Sequence, residues 1–375
     1  LLRLLSLFLP HYFNPHSYAR SDSKEALEIA KKIGFPLIIK ACAGGGGRGM
    51  RVVRKQSEMK QMYCSASSEA LLAFNNSSVF IEKYLENPKH IEIQIVADMH
   101  GNVIHLGERE CSIQRKHQKL LEEAPSSALD EKLRKKMTDA AISLSKEAGY
   151  VSLGTVEFLL DKDKNFYFME MNTRVQVEHP VTEMITGLDL IELQIRVANG
   201  EELPIKQEDV KLNGWAIECR INAEDAQSGF SPCLGMIKAL RIPEGEGIRI
   251  DTGVVAGSEI TPYFDSMIAK LIIHDKDRKA VIAKTIKALN EFLIKGIKTT
   301  IPFDKAVLQN PIFQNGEFDT SFIEKEMTSI VHREENEELF AALFIVKHFN
   351  EQNAPNENLE QKLDLWKLKE RVNNI

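Results

Sequence analysis

The sequence predicts an α+β protein built from antiparallel hairpins, and three observations carry that prediction. Residues 154–161 and 165–172 are two strand-like runs around a short polar tip, the pattern of a tight hairpin. Five glycines within 44–49 lie between two short β-like runs, 35–41 and 50–54, with no helix directly after them. Helical and strand-like segments also fail to alternate in the regular way that a parallel βαβ sheet requires.

Residues 23–33 read as a helix, with Leu27, Ile29, Ala30 and Ile33 apolar and Glu25 near its start. After the glycine cluster and its strands, a helix is expected over 57–74 and strands over 79–85, 90–98 and 102–107, with His100-Gly101-Asn102 as a turn. Residues 129–148 form a strongly periodic helix: Leu133, Met137, Ala140, Ala141 and Leu144 share a face, and Gly149 stands where a C-terminal cap is expected. Beyond the hairpin come a helix near 188–198, a strand-rich segment from about 214 to 273, a helix at 278–293 and an acidic, helical tail.

Composition limits the function. The 375 residues suffice for two or three domains, and 43% hydrophobic with 27% charged residues is ordinary for a globular chain. The net charge of −6, without a basic block, argues against nucleic acid or an anionic membrane as partner. Cys42, Cys64, Cys111, Cys219 and Cys233 contain no CxxC pair and read as free thiols in a reducing compartment. No run approaches the roughly 20 apolar residues of a membrane span. Residues 1–20, with an apolar run, no evident cleavage site and Arg3 and Arg20 as the clear cations, read as a non-native or disordered leader.

Gly44-Gly45-Gly46-Gly47-Arg48-Gly49 contains a GxGxxG, but a dinucleotide fold needs a helix immediately after it. Without Gly-Lys-Ser/Thr it is not a P-loop either. A glycine loop between strands, with Lys40 on the first, fits a flap whose backbone N–H groups reach a triphosphate; a plain hairpin tip is the alternative.

The densest chemistry lies in GTVEFLLDKDKNFYFMEMNTRVQVEHP, residues 154–180. Folding about Asp163–Lys164 sets Glu157 opposite Glu170, a like-charge pair that needs neutralising. Continued alternation would put Glu170, Asn172, Arg174, Gln176 and Glu178 on one side, with Met171, Thr173, Val175 and Val177 on the other. Two carboxylates and an amide oxygen suit Mg²⁺, Arg174 and Gln176 a small planar anion, and Glu178 a base. The apolar Phe166-Tyr167-Phe168-Met169 implies a strand buried on both faces for part of its length.

The glycine loop followed by the carboxylate hairpin resembles the ATP-grasp fold. IEKYLENPKHIEIQ (81–94), ERECSIQRKHQKLLEEAP (108–125), EMNTRVQVEHPVTEMITGLDL (170–190) and ECRINAED (218–225) closely resemble biotin carboxylase, over about residues 23–325. The resemblance implies an ATP-grasp domain at 21–212 (its glycine-loop subdomain at about 21–85), a strand-rich biotin carboxylase C-terminal domain at 213–326 and a helical acidic extension at 327–375. It implies a ligase that joins bicarbonate to biotin at the cost of ATP, with Mg²⁺ or Mn²⁺. Lys40 and Gly44, Gly45, Gly46, Gly47 and Gly49 would bind ATP phosphates, and Glu82, Lys83, Leu85, His90, Gln114, His117 and Leu159 would surround adenine and ribose. Glu157, Glu170 and Asn172 would hold the metal. Bicarbonate would rest on Arg174, Gln176 and Val177, with Glu178 as base; Lys119 would meet the transferring phosphoryl group, and Arg249 would stabilise the biotin enolate.

The same resemblance implies three partners: a biotin carboxyl carrier protein or domain, a second copy of the chain and a carboxyltransferase subunit. It places them in cytoplasm or mitochondrial matrix. The family's N-terminal α/β domain and the carrier's Ala-Met-Lys-Met tetrad are not found in this sequence, so an inactive truncated product that only binds nucleotide or dimerises is a competing expectation. Another ATP-grasp ligase is the third.

Overall fold

The computed structural model describes residues 16–19, 23–43, 49–326 and 346. The chain divides into two units, 1–331 and 332–375, and of the second only Val346 is described. The expected extension from 327 and glycines 44–47 therefore lie outside the described residues.

The first sheet is small and antiparallel, in the order β1 (His16–Ala19), β4 (Val79–Lys83), β2 (Leu37–Ala41), β3 (Arg51–Val53). Strand β1 falls inside the stretch expected as a leader, yet it pairs with β4 along its whole length. Helices Ser23–Ile33 and Met59–Phe74 cover the sheet. Their contacts use Ala26, Ala30, Ala66 and Ala70, small residues four apart that let each helix approach Leu37, Ile39 and Ile81 closely. Asn75 closes the second helix in the left-handed region.

The large sheet has eight antiparallel strands, in the order Ile248–Thr252, Met267–Asp275, β10 (Trp215–Asn222), β7 (Gln118–Ala124), β6 (Val103–Arg115), β5 (Lys89–Ala97), β8 (Ser152–Leu160), β9 (Phe166–Asn172). Strand β10 adds directly to β7, so one sheet crosses positions 212–213. On one face Ile91, Ile93, Ile95, Val156 and Phe158 pack on Leu133, Met137 and Leu144 of the helix Glu131–Glu147. Asp130 caps that helix by accepting from the Leu133 N–H at 2.7 Å. Strand alternation then leaves His90, Glu92 and Gln94 on the opposite face.

Four local readings change. Strand β6 runs on past 107, because Gly107, at φ +85°, sits at an extra residue between the Ile93–Glu108 and Ile95–His105 pairs. Strand β7 has no forecast at all: its turn is Lys116-His117, both at positive φ, and carries none of the Asn-Gly signal of such turns. Strand β9 is an edge strand with Tyr167, Phe168 and Met169 only half-buried, not a strand covered on both faces. Its pairing ends at Asn172; residues 173–178 are loop, and Pro180 opens an unforeseen helix, His179–Thr186, so the alternation expected through 178 does not exist.

Among the described residues, no helix is long and apolar enough to cross a membrane.

Candidate active site

Four residues stand in one row across the large sheet. Arg109 of β6 registers with Glu92 of β5, Glu92 with Glu157 of β8, and Glu157 with Glu170 of β9. The Glu157–Glu170 pairing is the one the sequence implies, reached by a different route. The hairpin tip spans Asp161–Asn165, Leu160 faces Phe166, and a register shift beyond Phe158 brings the two glutamates opposite each other. Three carboxylates side by side would repel strongly without cations between them.

Lys119 supplies the first cation. Its Nζ lies 2.5 Å from Glu92, 3.2 Å from Glu157 and 2.5 Å from Glu178. A bulge puts it there: Ile113 pairs with Leu121 and Gln114 with Lys119, so Leu120 is an extra residue. Leu120 and Leu121 consequently both enter the core, and Lys119 turns to the same face as Glu122. Burial opposes the ammonium, but Glu92, Glu178 and Glu157 outweigh it and raise the Lys119 pKa well above the lysine range. Burial likewise opposes ionisation of Glu92, yet Arg109 and Lys119 bring its pKa down to about 2. Glu157 is buried too, and His90, Lys119 and Gln176 hold it well below the usual carboxylate range.

Arg109 is fully buried, and all five of its N–H groups are used. Nε bonds Glu92; one terminal nitrogen donates to Gln94 at 2.6 Å and Thr182 at 2.9 Å; the other donates to Thr155 at 3.2 Å and Gln176 at 3.1 Å. This guanidinium therefore ties the 173–178 loop and the helix behind it onto the sheet. Gln176 in turn donates to Glu157 at 2.8 Å.

Glu178 immediately precedes the helix His179–Thr186, makes no capping bond to it and is 2% exposed. One oxygen accepts from Lys119 and the other from Arg220 at 2.9 Å. Val177 offers its carbonyl to Lys270 at 2.9 Å. Arg249 stands elsewhere: it bonds Glu183 at 2.6 Å and Asp251 at 2.8 Å. The cation that meets Glu178 from the C-terminal strands is Arg220, in ECRINAED; reading that stretch only as a likeness missed it.

The metal candidates do converge. Asn172 Nδ2 lies 2.9 Å from Glu157 and 3.5 Å from Glu170, and Arg174 reaches Asn172 Oδ1 at 3.4 Å. The facing carboxylates offer oxygens that fit a hard divalent ion, and the Asn172 amide, which here turns its nitrogen to them and its oxygen to Arg174, would add its oxygen on rotation about its terminal bond. His90 Nε2 lies 3.2 Å from the second Glu157 oxygen, and ligand atoms of His90, Glu92 and Glu157 lie within 4.8 Å of one another.

The nucleotide candidates are distributed along the two sheets. Lys40 and Glu82 form an ion pair at 2.6 Å. The Lys83 ammonium is bound to the Gly34 and Phe35 carbonyls, at 3.3 and 3.0 Å, and so braces the loop before β2. Leu85 is half-buried between β4 and β5, and His90 and Leu159 are cross-strand neighbours. Gln114 pairs with Lys119 beside the exposed turn residue His117. Gly49 ends the glycine loop at φ +70°, where a Cβ would come within 2.9 Å of the Ala41 Cβ.

Two family models match: carbamoyl-phosphate synthase L chain, ATP binding domain, over residues 13–206, and biotin carboxylase C-terminal domain over 218–325. Biotin carboxylase 1 of Bacillus subtilis is 55% identical over 302 residues, covering 80% of this chain and 67% of that protein. A pyruvate carboxylase subunit of Methanothermobacter thermautotrophicus is 53% identical over 81% of this chain and 62% of its own length. The chain thus spans about two thirds of these relatives. A solved biotin carboxylase domain dimer of the Hydrogenobacter thermophilus 2-oxoglutarate carboxylase, in complex with MgADP, ADP and bicarbonate, superposes with a TM-score of 0.84 at 46% identity, over 88% of this chain and 73% of that one. Biotin carboxylase of Campylobacter jejuni gives 0.83 at 47% identity, over 86% and 72%. With the ATP-grasp sheet, the paired glutamates and both domain models in sequence order, the chain belongs to the biotin carboxylase family of ATP-dependent ligases.

Proposed function

We propose that this chain carboxylates biotin, borne on a carrier protein or domain, with bicarbonate and ATP, as the biotin carboxylase component of an acyl-CoA or pyruvate carboxylase. The observation that carries the reading is Glu178, a buried carboxylate held between Lys119 and Arg220 and one residue from the Lys270-bound Val177. A base flanked by two cations, beside an oxygen set for a divalent ion, suits an anion that must be deprotonated and then phosphorylated.

In this reading bicarbonate lies on Arg174, Gln176 and Val177, and Glu178 takes its proton. A bicarbonate oxygen attacks the γ-phosphorus, the bond to the ADP oxygen breaks, and carboxyphosphate forms. Carboxyphosphate separates into CO₂ and phosphate; phosphate accepts the ureido N–H proton, and that nitrogen bonds CO₂. Lys119 and Arg220 remain cationic throughout and stabilise the developing charge, about 3 kcal/mol for each well-placed donor. Glu157, Glu170 and Asn172 would hold Mg²⁺ or Mn²⁺, which when bound offsets the charge of the nucleotide phosphates. Lys40, Glu82, Lys83, Leu85, His90, Gln114, His117, Leu159 and the 44–49 glycines would take the nucleotide, the glycine flap excluding water from a short-lived intermediate.

The relatives' names support a multi-component carboxylase as the setting, and the solved dimer supports a second copy of the chain as partner. A carboxyltransferase subunit would receive the product. Free cysteines support a reducing interior, cytoplasm or mitochondrial matrix.

The test is bicarbonate-dependent ADP release with Mg²⁺ATP, with and without free biotin, beside Glu178→Ala. Biotin stimulation that disappears in the variant is expected; biotin-independent release in a folded chain would overturn the reading.

A further inference from the structure

Beneath the Arg220–Glu178 pair lie two acids that the reaction scheme above does not use. Glu122 of β7 and Glu218 of β10 are direct cross-strand partners, and both are fully buried. Side chains opposite each other on paired strands sit about 5 Å apart at Cβ. Above them the helix His179–Thr186 seals the sheet, with Val181 and Ile185 packed on Ala124 and Ala216. Among the described residues, only one of the four carboxyl oxygens has a hydrogen-bond partner: Glu122 accepts from Arg220 at 2.7 Å, while its other oxygen and both oxygens of Glu218 have none.

Charge accounting leaves no room for two anions here. Arg220 already serves Glu178, and Lys119 serves Glu92, Glu157 and Glu178. The other groups that act on the pair are Lys270, from the strand Met267–Asp275, whose Nζ is bound to the Val177 carbonyl and Asp251, and the buried acid Asp304, from the helix Ile301–Gln309. An ionised carboxylate without a hydrogen bond or a cation is strongly disfavoured in such a place, so the pair retains a proton.

We propose that Glu122 and Glu218 share one proton beneath the site, with Glu218 as the neutral member, and that Glu122 competes with Glu178 for Arg220. The pair acts as a positioning unit, through Arg220, and touches no substrate. Burial, acting against Arg220, brings the Glu122 pKa up to about 7, and burial together with Glu122 pushes Glu218 well above the carboxylate range, in keeping with this geometry. The second half of the inference rests on Glu178 being the base of the proposed reaction.

Infrared difference spectroscopy tests the shared proton without turnover. At pH 8 the full chain, with ¹³C-carboxyl glutamate to separate its bands from Asp304, is expected to show a protonated glutamate carbonyl band that Glu218→Gln removes. Absence of that band in the unsubstituted chain overturns the proposal, whether or not the variant folds. The competition is read from the pH profile of kcat/KM for bicarbonate. Glu122 carries its charge only above about pH 7, so the profile of the unsubstituted chain should bend there as Arg220 becomes shared, and Glu122→Gln, which leaves Arg220 to Glu178 at every pH, should remove that bend. A merely structural role would lower activity at every pH and leave the bend in place, which overturns the competition. If the band is present but the chain turns over nothing, the shared proton stands, while the proposed function and the competition that depends on it fail.

Discussion

Lys119 and Glu178, 59 residues apart in the chain, meet at 2.5 Å because a single extra residue, Leu120, turns the lysine toward the loop that carries the glutamate. The same ammonium binds Glu92 and Glu157, so one side chain neutralises acids from a strand, its neighbour and a loop. Replacing Lys119 with Met should therefore lower kcat by about 10²–10³, the loss typical of one charge-stabilising donor. Comparison of kcat and KM for ATP and bicarbonate checks this; a change confined to KM would contradict it.

Arg109 should matter more for stability than for chemistry. Arg109→Met removes five hydrogen bonds and leaves Glu92 with Lys119 alone, a loss of about 3–5 kcal/mol. Arg109→Lys should not restore it, since an ammonium cannot reproduce the planar fork. Urea unfolding measures both.

Glu157 and Glu170 should separate under metal titration. Both are proposed to hold the divalent ion, but Glu170 is exposed, whereas Glu157 also accepts from Lys119, Asn172 and Gln176 and lies 3.2 Å from His90 Nε2. Glu170→Gln should raise the Mg²⁺ concentration needed for half-maximal ADP release with little change in the urea midpoint. Glu157→Gln should raise the requirement and also lower the midpoint, since it disturbs a buried network.

Stability should fall on both sides of mildly acidic pH. Glu92 has its pKa lowered from 4.5 to about 2, so its contribution is complete above pH 4.5 and disappears as pH falls through 2. Glu122 has its pKa raised from 4.5 to about 7, so its contribution is complete below pH 4.5 and is lost as pH rises through 7. Urea midpoints measured from pH 3 to 8 should show both declines. Glu122→Gln should flatten only the decline between about pH 5 and 7.

Much of this molecule was legible from local chemistry. Apolar periodicity located the helix Glu131–Glu147, and the polar tip between two apolar runs located the hairpin that sets Glu157 against Glu170. The motifs carried the family and most of the candidate residues. Strand β7 was not legible because a Lys-His turn has no distinctive composition, and the path of 173–178 was misread because RVQVE alternates like a strand but has no neighbouring strand with which to pair.

By itself, then, the sequence determined the residue types, the hairpins and the family, since these rest on spacing within a few tens of residues. Only the tertiary structure decided who neutralises whom. Arg109 ties Gln176 to the sheet, Arg220 and not Arg249 reaches Glu178, and Glu122 meets Glu218 across 96 positions. Those pairings depend on strand order and on one-residue bulges, and a bulge reverses the face of every side chain beyond it without leaving a mark in composition.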